Sequence, residues 1–163
     1  MDKGFADDLI RLLPNLRRFA MSLCRRADLA EDLTQITVER ALANHAAFDR
    51  ATRLEPWLFR IMRNAFIDQT RRDRTRGQGV DVTESPEILP HDPGAQLEAR
   101  LMLGRVREVM DVLPAEQREV LHLVCIEELS YAETAELLGI PKGTVMSRLA
   151  RGRIALAERL GIN

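Results

Sequence analysis

From about Phe5 to Arg26, apolar side chains recur at Leu9, Leu13, Leu16, Ala20 and Leu23, a three-to-four-residue period that predicts one amphipathic helix. Asp28 followed by Glu31 fits a carboxylate version of a capping box. A second helix is expected to start there and run to about Ala43, with Leu29, Leu33 and Ile36 on its buried side. A loop through Phe48, Asp49 and Arg50 separates it from a third helix, which opens near Pro56, a residue whose fixed φ suits a first turn, and ends near Arg76. On that helix Trp57, Leu58, Ile61, Met62 and Ala65 gather on one side; Arg60, Arg63, Asn64, Ile67, Arg71 and Arg74 gather opposite. The three helices define a first domain over residues 1–76.

The periodicity then stops. Residues 77–93 hold two glycines, three prolines, four acids and no basic residue, a composition that disfavours both helix and packed core and reads as a flexible acidic linker. Helical spacing resumes at Leu97, Leu101, Val106 and Val109, and Pro114 begins a new helix with Val120, Leu121, Leu123 and Val124. Ser130 and Glu133 then form a capping box, Gly139 stops the helix, and Pro141 or Lys142 restarts the chain. On the last helix Val145, Leu149, Leu156 and Leu160 share a narrow stripe, which leaves Gly143, Ser147, Ala150 and Arg151 on the other side. The expected fold is therefore all-α: two small helical domains joined by a flexible acidic linker, the second (94–163) containing a helix-turn-helix.

Composition agrees with this, because the 163 residues are 45% hydrophobic but only 4% aromatic, a profile rich in helix formers. The net charge of −1 conceals segregation: residues 1–76 carry 15 basic and 11 acidic side chains, 77–141 carry 4 and 13, and 142–163 carry 5 and 1. Local basic patches, not the total, govern attraction to a polyanion, so two separate nucleic-acid contacts are permitted. Cys24 and Cys125 lie in apolar-periodic stretches without partner spacing and are expected to be buried, reduced thiols. With no signal-peptide core and no membrane-length apolar run, the expected location is the cytoplasm, without membrane insertion. His45, His91 and His122 share no metal or triad motif with each other or with the cysteines, and no phosphate loop or nucleophile motif is present. No catalytic residue, metal or cofactor is expected.

A helix-turn-helix places its second helix in the major groove, where small residues allow close approach and Arg or Lys can meet guanine edges or phosphates. Lys142, Arg148, Arg151 and Arg153 supply the charge; the alternative is an ordinary helical hairpin with a solvated basic face. The arginine stripe around Asn64 is open to the same two readings, and Trp57 reads as core. Asp32, Gln35 and Glu39 form an acidic face on the second helix, which suits a protein partner or is solvated surface.

Three segments together resemble the extracytoplasmic-function (ECF) members of the sigma-70 family: Ala30-Glu31-Asp32-Leu33-Thr34-Gln35 with Arg40-Ala41; Pro56-Trp57-Leu58-Phe59-Arg60-Ile61 through Arg63-Asn64 and Ile67-Asp68; and Leu129-Ser130-Tyr131 through Gly143-Thr144-Val145 and Ser147-Arg148-Leu149. The resemblance implies a promoter-specificity subunit of RNA polymerase. It implies that the first domain grips the clamp helices of the polymerase with the helix carrying Glu31, Asp32, Gln35 and Glu39. Phe48, Asp49, Arg50 and Asn64 would then capture a flipped base of the minus-ten element, and Arg60, Arg63 and Arg71 would hold the displaced strand. Extruding a base costs a few kcal/mol of stacking, which a shaped pocket and phosphate neutralisation must offset.

By the same resemblance the second domain reads the minus-thirty-five duplex with residues 142–153, namely Lys142, Gly143, Thr144, Met146, Ser147, Arg148, Arg151 and Arg153, and the linker threads towards the RNA exit path. Many members carry Lys or Arg at the position of Met146, which here either touches a thymine methyl or simply packs. Leu13-Pro14-Asn15-Leu16-Arg17-Arg18-Phe19-Ala20 and Ser22-Leu23-Cys24 are similar to the general-stress subgroup, which implies control by an anti-sigma factor. Two other readings remain at this point: a sigma-like decoy that binds an anti-sigma factor without engaging promoters, and a stand-alone helix-turn-helix regulator.

Overall fold

A computed structural model describes residues 2–76 and 97–162; the linker expected over 77–93 lies outside them. All regular structure among the described residues is helical, and the chain divides into two compact units, Met1–Pro86 and Glu87–Asn163.

Among the described residues the first unit contains four α-helices where the apolar spacing predicts three. The initial run breaks into α1 (Lys3–Arg11) and α2 (Leu13–Cys24), with Leu12 at φ −91° and ψ 0° between them. Pro14 explains the break: it has no N–H to donate to Ile10, and its ring clashes with that carbonyl. Asp2 caps α1 by accepting from the Gly4 amide at 3.0 Å, and α1 buries Phe5 and Leu9, one turn apart. α2 buries Leu16, Phe19, Ala20 and Cys24 and ends on Arg25 in the left-handed region.

α3 (Ala27–Ala43) departs from expectation at its start and on its buried face. Arg26, not Asp28, is the N-cap residue, and the Asp28 carboxylate accepts from the Arg26 guanidinium at 2.8 Å, so no capping box forms. The buried side is Ala30, Leu33, Thr34, Thr37 and Ala41; Leu29 and Ile36 are only half-buried. The threonines can face the core because their hydroxyls donate to the carbonyls of Ala30 and Leu33, each at 2.8 Å, which leaves no unpaired donor.

After a short 3-10 turn at His45–Ala47 and a loop, α4 (Leu54–Thr75) packs against α2 and α3 through Leu54, Leu58, Phe59, Met62 and Ala65. Phe19 and Phe59 meet edge to face at 5.2 Å in the centre of this three-helix core, a geometry worth about 0.5–1.5 kcal/mol beyond the burial itself.

In the second unit, α5 (Leu97–Val112) leaves Leu97 and Leu101 exposed, while Val106 and Val109 are half-buried. α6 (Ala115–Leu121) starts after the N-cap Pro114 and passes into a wider π turn at His122–Ile126. The turn is closed by the Glu127 amide donating to the His122 carbonyl at 3.0 Å. That five-residue register also aligns the two side chains, and His122 Nε2 lies 2.9 Å from Glu127 Oε2 with both groups buried. α7 (Tyr131–Leu138) and α8 (Lys142–Leu160) complete the unit around Val120, Leu123, Val145 and Leu149.

Both cysteines are free, but only Cys24 is buried; Cys125, in the π turn, is exposed. Burial, with smaller contributions from Asp28 and Asp32, pushes the Cys24 thiol up to about 12. Among the described residues no helix is long and apolar enough to cross a membrane.

Candidate nucleic-acid interface

The helix-turn-helix is built as its local sequence requires. The Ser130 hydroxyl accepts from the Glu133 amide at 3.0 Å and the Glu133 carboxylate accepts from the Ser130 amide at 2.9 Å, which completes the capping box at the start of α7. α7 ends at Gly139 with φ 67°, a left-handed conformation that costs glycine least, and the Ile140 amide donates back to Ala135 at 3.1 Å. Pro141 is the N-cap of α8, so Lys142 is its first helical residue.

With Val145 and Leu149 buried, the opposite face of α8 presents Lys142, Gly143, Met146, Ser147, Ala150 and Arg151 to solvent. Met146 is 50% exposed, so it joins this face and does not pack into the core. The Ser147 hydroxyl donates to the Thr144 carbonyl at 3.1 Å and accepts from Arg151 Nη2 at 3.4 Å, which holds Thr144, Ser147 and Arg151 as one polar group. Arg148 lies at the flank, 3.7 Å from Glu116 on α6, and Arg153 reaches towards the Cys125 sulfur at 4.0 Å.

In the first unit Arg60, Asn64 and Arg71 are exposed on α4, while Arg63 is half-buried. The loop before α4 is closed by Asp49, whose carboxylate accepts from the Ala51 amide at 2.9 Å and whose carbonyl accepts from the Thr52 hydroxyl at 2.7 Å. Phe48 is half-buried, its ring 5.2 Å from Trp57 and 6.1 Å from Phe5. The expectation for Trp57 as packing residue fits this cluster. Arg50 donates to Asp2, and the Gly4 amide, then Arg50, hold the Asp2 carboxyl below the usual carboxylate range. On α3, Glu31, Asp32, Gln35 and Glu39 are all exposed, and Glu31 pairs with Arg17 at 3.4 Å.

The family models for sigma-70 region 2 and sigma-70 region 4 match residues 9–76 and 103–156. An ECF RNA polymerase sigma factor, EcfG of Rhodopseudomonas palustris, is 38% identical over 157 residues, which is 96% of this chain and 85% of that protein. The chain belongs to the ECF sigma factors of the sigma-70 family. Bacillus subtilis SigM, another ECF sigma factor, is 31% identical over 96% of this chain and 97% of its own length. The solved sigma factor RpoE of Bartonella quintana, crystallised with the anti-sigma factor NepR, superimposes with a TM-score of 0.84 at 34% identity and 99% coverage of both chains.

In this ECF sigma factor the structure groups the expected positions into three surfaces: the acidic face of α3, the loop and exposed side of α4, and the exposed side of α8. Three contacts do not figure among the expectations from sequence. Asp2 pairs with Arg50, Glu116 with Arg148, and His122 with Glu127. The first two join distant segments, and no local signal announces them. The third had one available cue, a histidine and an acid five residues apart at the end of a helix.

Proposed function

We propose that this ECF sigma factor directs RNA polymerase to promoters by dividing the task between two domains, 1–76 and 94–163, joined by the acidic segment 77–93. The exposed carboxylates and amide of Glu31, Asp32, Gln35 and Glu39 form the docking face for the core polymerase. Phe48, Asp49, Arg50 and Asn64 capture a flipped minus-ten base, and Arg60, Arg63 and Arg71 neutralise the strand around it. Lys142, Gly143, Thr144, Met146, Ser147, Arg148, Arg151 and Arg153 read the minus-thirty-five duplex, where the exposed Met146 suits a thymine methyl.

The observation that carries this reading is the presence, on one chain, of a capped helix-turn-helix and a separate exposed Arg60-Asn64-Arg71 face on a helix that follows a closed loop. A stand-alone duplex-binding regulator would have no use for the second feature. The chain makes and breaks no bonds itself, requires no cofactor, and works in the cytoplasm on the polymerase that does the chemistry. Its controlling partner is an anti-sigma factor of the general-stress type, a reading supported by the 34% identity to the NepR-bound RpoE.

Transcription in vitro with purified core enzyme, followed by sequencing of the transcript starts, tests this. Asn64→Ala is expected to reduce promoter opening while leaving core binding intact, and Asp32→Arg to do the reverse through charge reversal at the docking face. Opening is expected to fall about tenfold in Asn64→Ala, within the few kcal/mol that base extrusion costs. Equal effects of both substitutions on assembly with the core would refute the division.

A further inference from the structure

All three loop residues placed at the minus-ten base are tethered, and two of them, Phe48 and Arg50, reach α1 or its N-cap residue Asp2. Phe48 lies against Phe5 and Trp57, Asp49 closes on the Ala51 amide, and Arg50 donates to Asp2. Phe5 is 3% exposed and is the hub of a four-ring cluster: His45, Phe48 and Trp57 each lie 6.1 Å from it, and the Trp57 ring stands edge-on. Those three rings belong to the 3-10 turn before the loop, the loop itself, and the first turn of α4 after it. The hub therefore joins both ends of the loop to one helix.

We propose that α1 is a brace for the base-capture loop, with Phe5 its positioning residue and Asp2 a secondary electrostatic tether. The inference rests on the reading of that loop as the minus-ten pocket. A loop that samples many conformations must lose that freedom when a base enters, and a loop already packed on a buried ring does not. Phe5 touches neither DNA nor polymerase in this scheme; it acts through Phe48 and Trp57. Asp2 acts more weakly because its pair with Arg50 is exposed and screened by salt.

The test uses the full chain assembled with core polymerase and a labelled single strand carrying the minus-ten sequence mapped from its transcript starts. Phe5→Leu keeps an apolar side chain in place but removes the ring contacts, and is expected to weaken strand binding about three- to tenfold, the range of aromatic-pair contributions. Leu9→Ala, which loosens the next buried turn of the same helix away from the cluster, is the control and is expected to leave strand affinity unchanged even where it lowers thermal stability. Trp57, the sole tryptophan, reports the cluster directly: its emission should shift in Phe5→Leu and not in Leu9→Ala.

Asp2→Asn keeps the helix cap, removes the charge, and lies on the surface where folding is not at risk; a loss of about twofold in the same direction is expected, as for an exposed pair. Unchanged strand affinity in both Phe5→Leu and Asp2→Asn alongside a loss in Asn64→Ala overturns the brace and leaves base capture standing. An equal loss in Phe5→Leu and Leu9→Ala also overturns it, in favour of general packing. Unchanged affinity in Asn64→Ala overturns base capture itself, and the brace falls with it.

Discussion

At the scale of single residues, Gly152 shows how closely the second unit is packed. A Cβ at this position would lie 2.9 Å from Leu121 Cδ1, 3.2 Å from its Cγ and 3.4 Å from Gln117 Cβ. Leu121 is itself buried, so it has little room to withdraw. Alanine would favour the α8 helix by about 1 kcal/mol over glycine, but forcing a methyl into a filled contact costs about 1–3 kcal/mol. The second effect wins. Gly152→Ala is expected to destabilise the second unit by about 1 kcal/mol net, read as a lower urea midpoint by circular dichroism. The midpoint reported by Trp57 fluorescence, which belongs to the first unit, should not move. Nothing in the apolar spacing marks this glycine, because the need for it arises from α6 approaching α8, a contact between segments some thirty residues apart.

At the scale of elements, the two capping-box motifs show what local sequence does and does not determine. Ser130 and Glu133 form the box because Ser130 stands outside the helix with extended φ and ψ, where its hydroxyl can reach the third amide. Ser130→Ala removes one half of that exchange and is expected to cost about 1 kcal/mol. Amide exchange in the first turn of α7 should then quicken about fivefold, as that energy implies, with the middle of α8 unaffected. Asp28 and Glu31 have the same spacing but form no box, since the N-cap falls two residues earlier than the motif suggests and Arg26 takes the carboxylate.

Two other elements diverge from their periodicity for reasons visible only in side-chain chemistry. Pro14 cuts an otherwise continuous apolar run into α1 and α2, and Thr34 and Thr37 enter the core where a count of apolar residues looks to Leu29 and Ile36 instead. The first half of the stripe on α8 (Val145 and Leu149, with Leu156 and Leu160 only half-buried), the boundaries of α4 to within two residues and the helix-turn-helix were all legible, because caps, proline and glycine act over four residues or fewer. The tethers from α1 to the loop were not, since they span more than forty residues of sequence and depend on tertiary packing alone.

At the scale of the whole molecule, the near-zero total charge is itself a constraint on function. Both segments proposed to face DNA are basic, yet residues 77–141 hold 13 acids against 4 bases. Beyond about 10 Å at 0.1 M salt the potentials of exposed charges are screened, so a DNA molecule at a distance experiences a nearly neutral protein and gains little from approaching it. Attraction develops only when a basic face is presented locally, as the proposed function requires of the polymerase-bound chain. The acids at Asp81, Glu84, Glu87 and Asp92 would then limit binding of the free chain to DNA at large. Replacing those four by their amides is expected to raise non-specific duplex affinity of the free chain about tenfold at low salt, an electrostatic effect that fades as salt rises. Fluorescence anisotropy across a salt series measures it. Removing Arg151 from the polymerase-bound form should act in the opposite sense, lowering the slope of log affinity against log salt by about 1 if Arg151 meets a phosphate. If it instead contacts a base edge, affinity should fall by about 1–3 kcal/mol for the cognate sequence alone. A free chain whose DNA affinity ignores the loss of four negative charges would show that the acidic middle has no part in keeping the sigma factor off DNA.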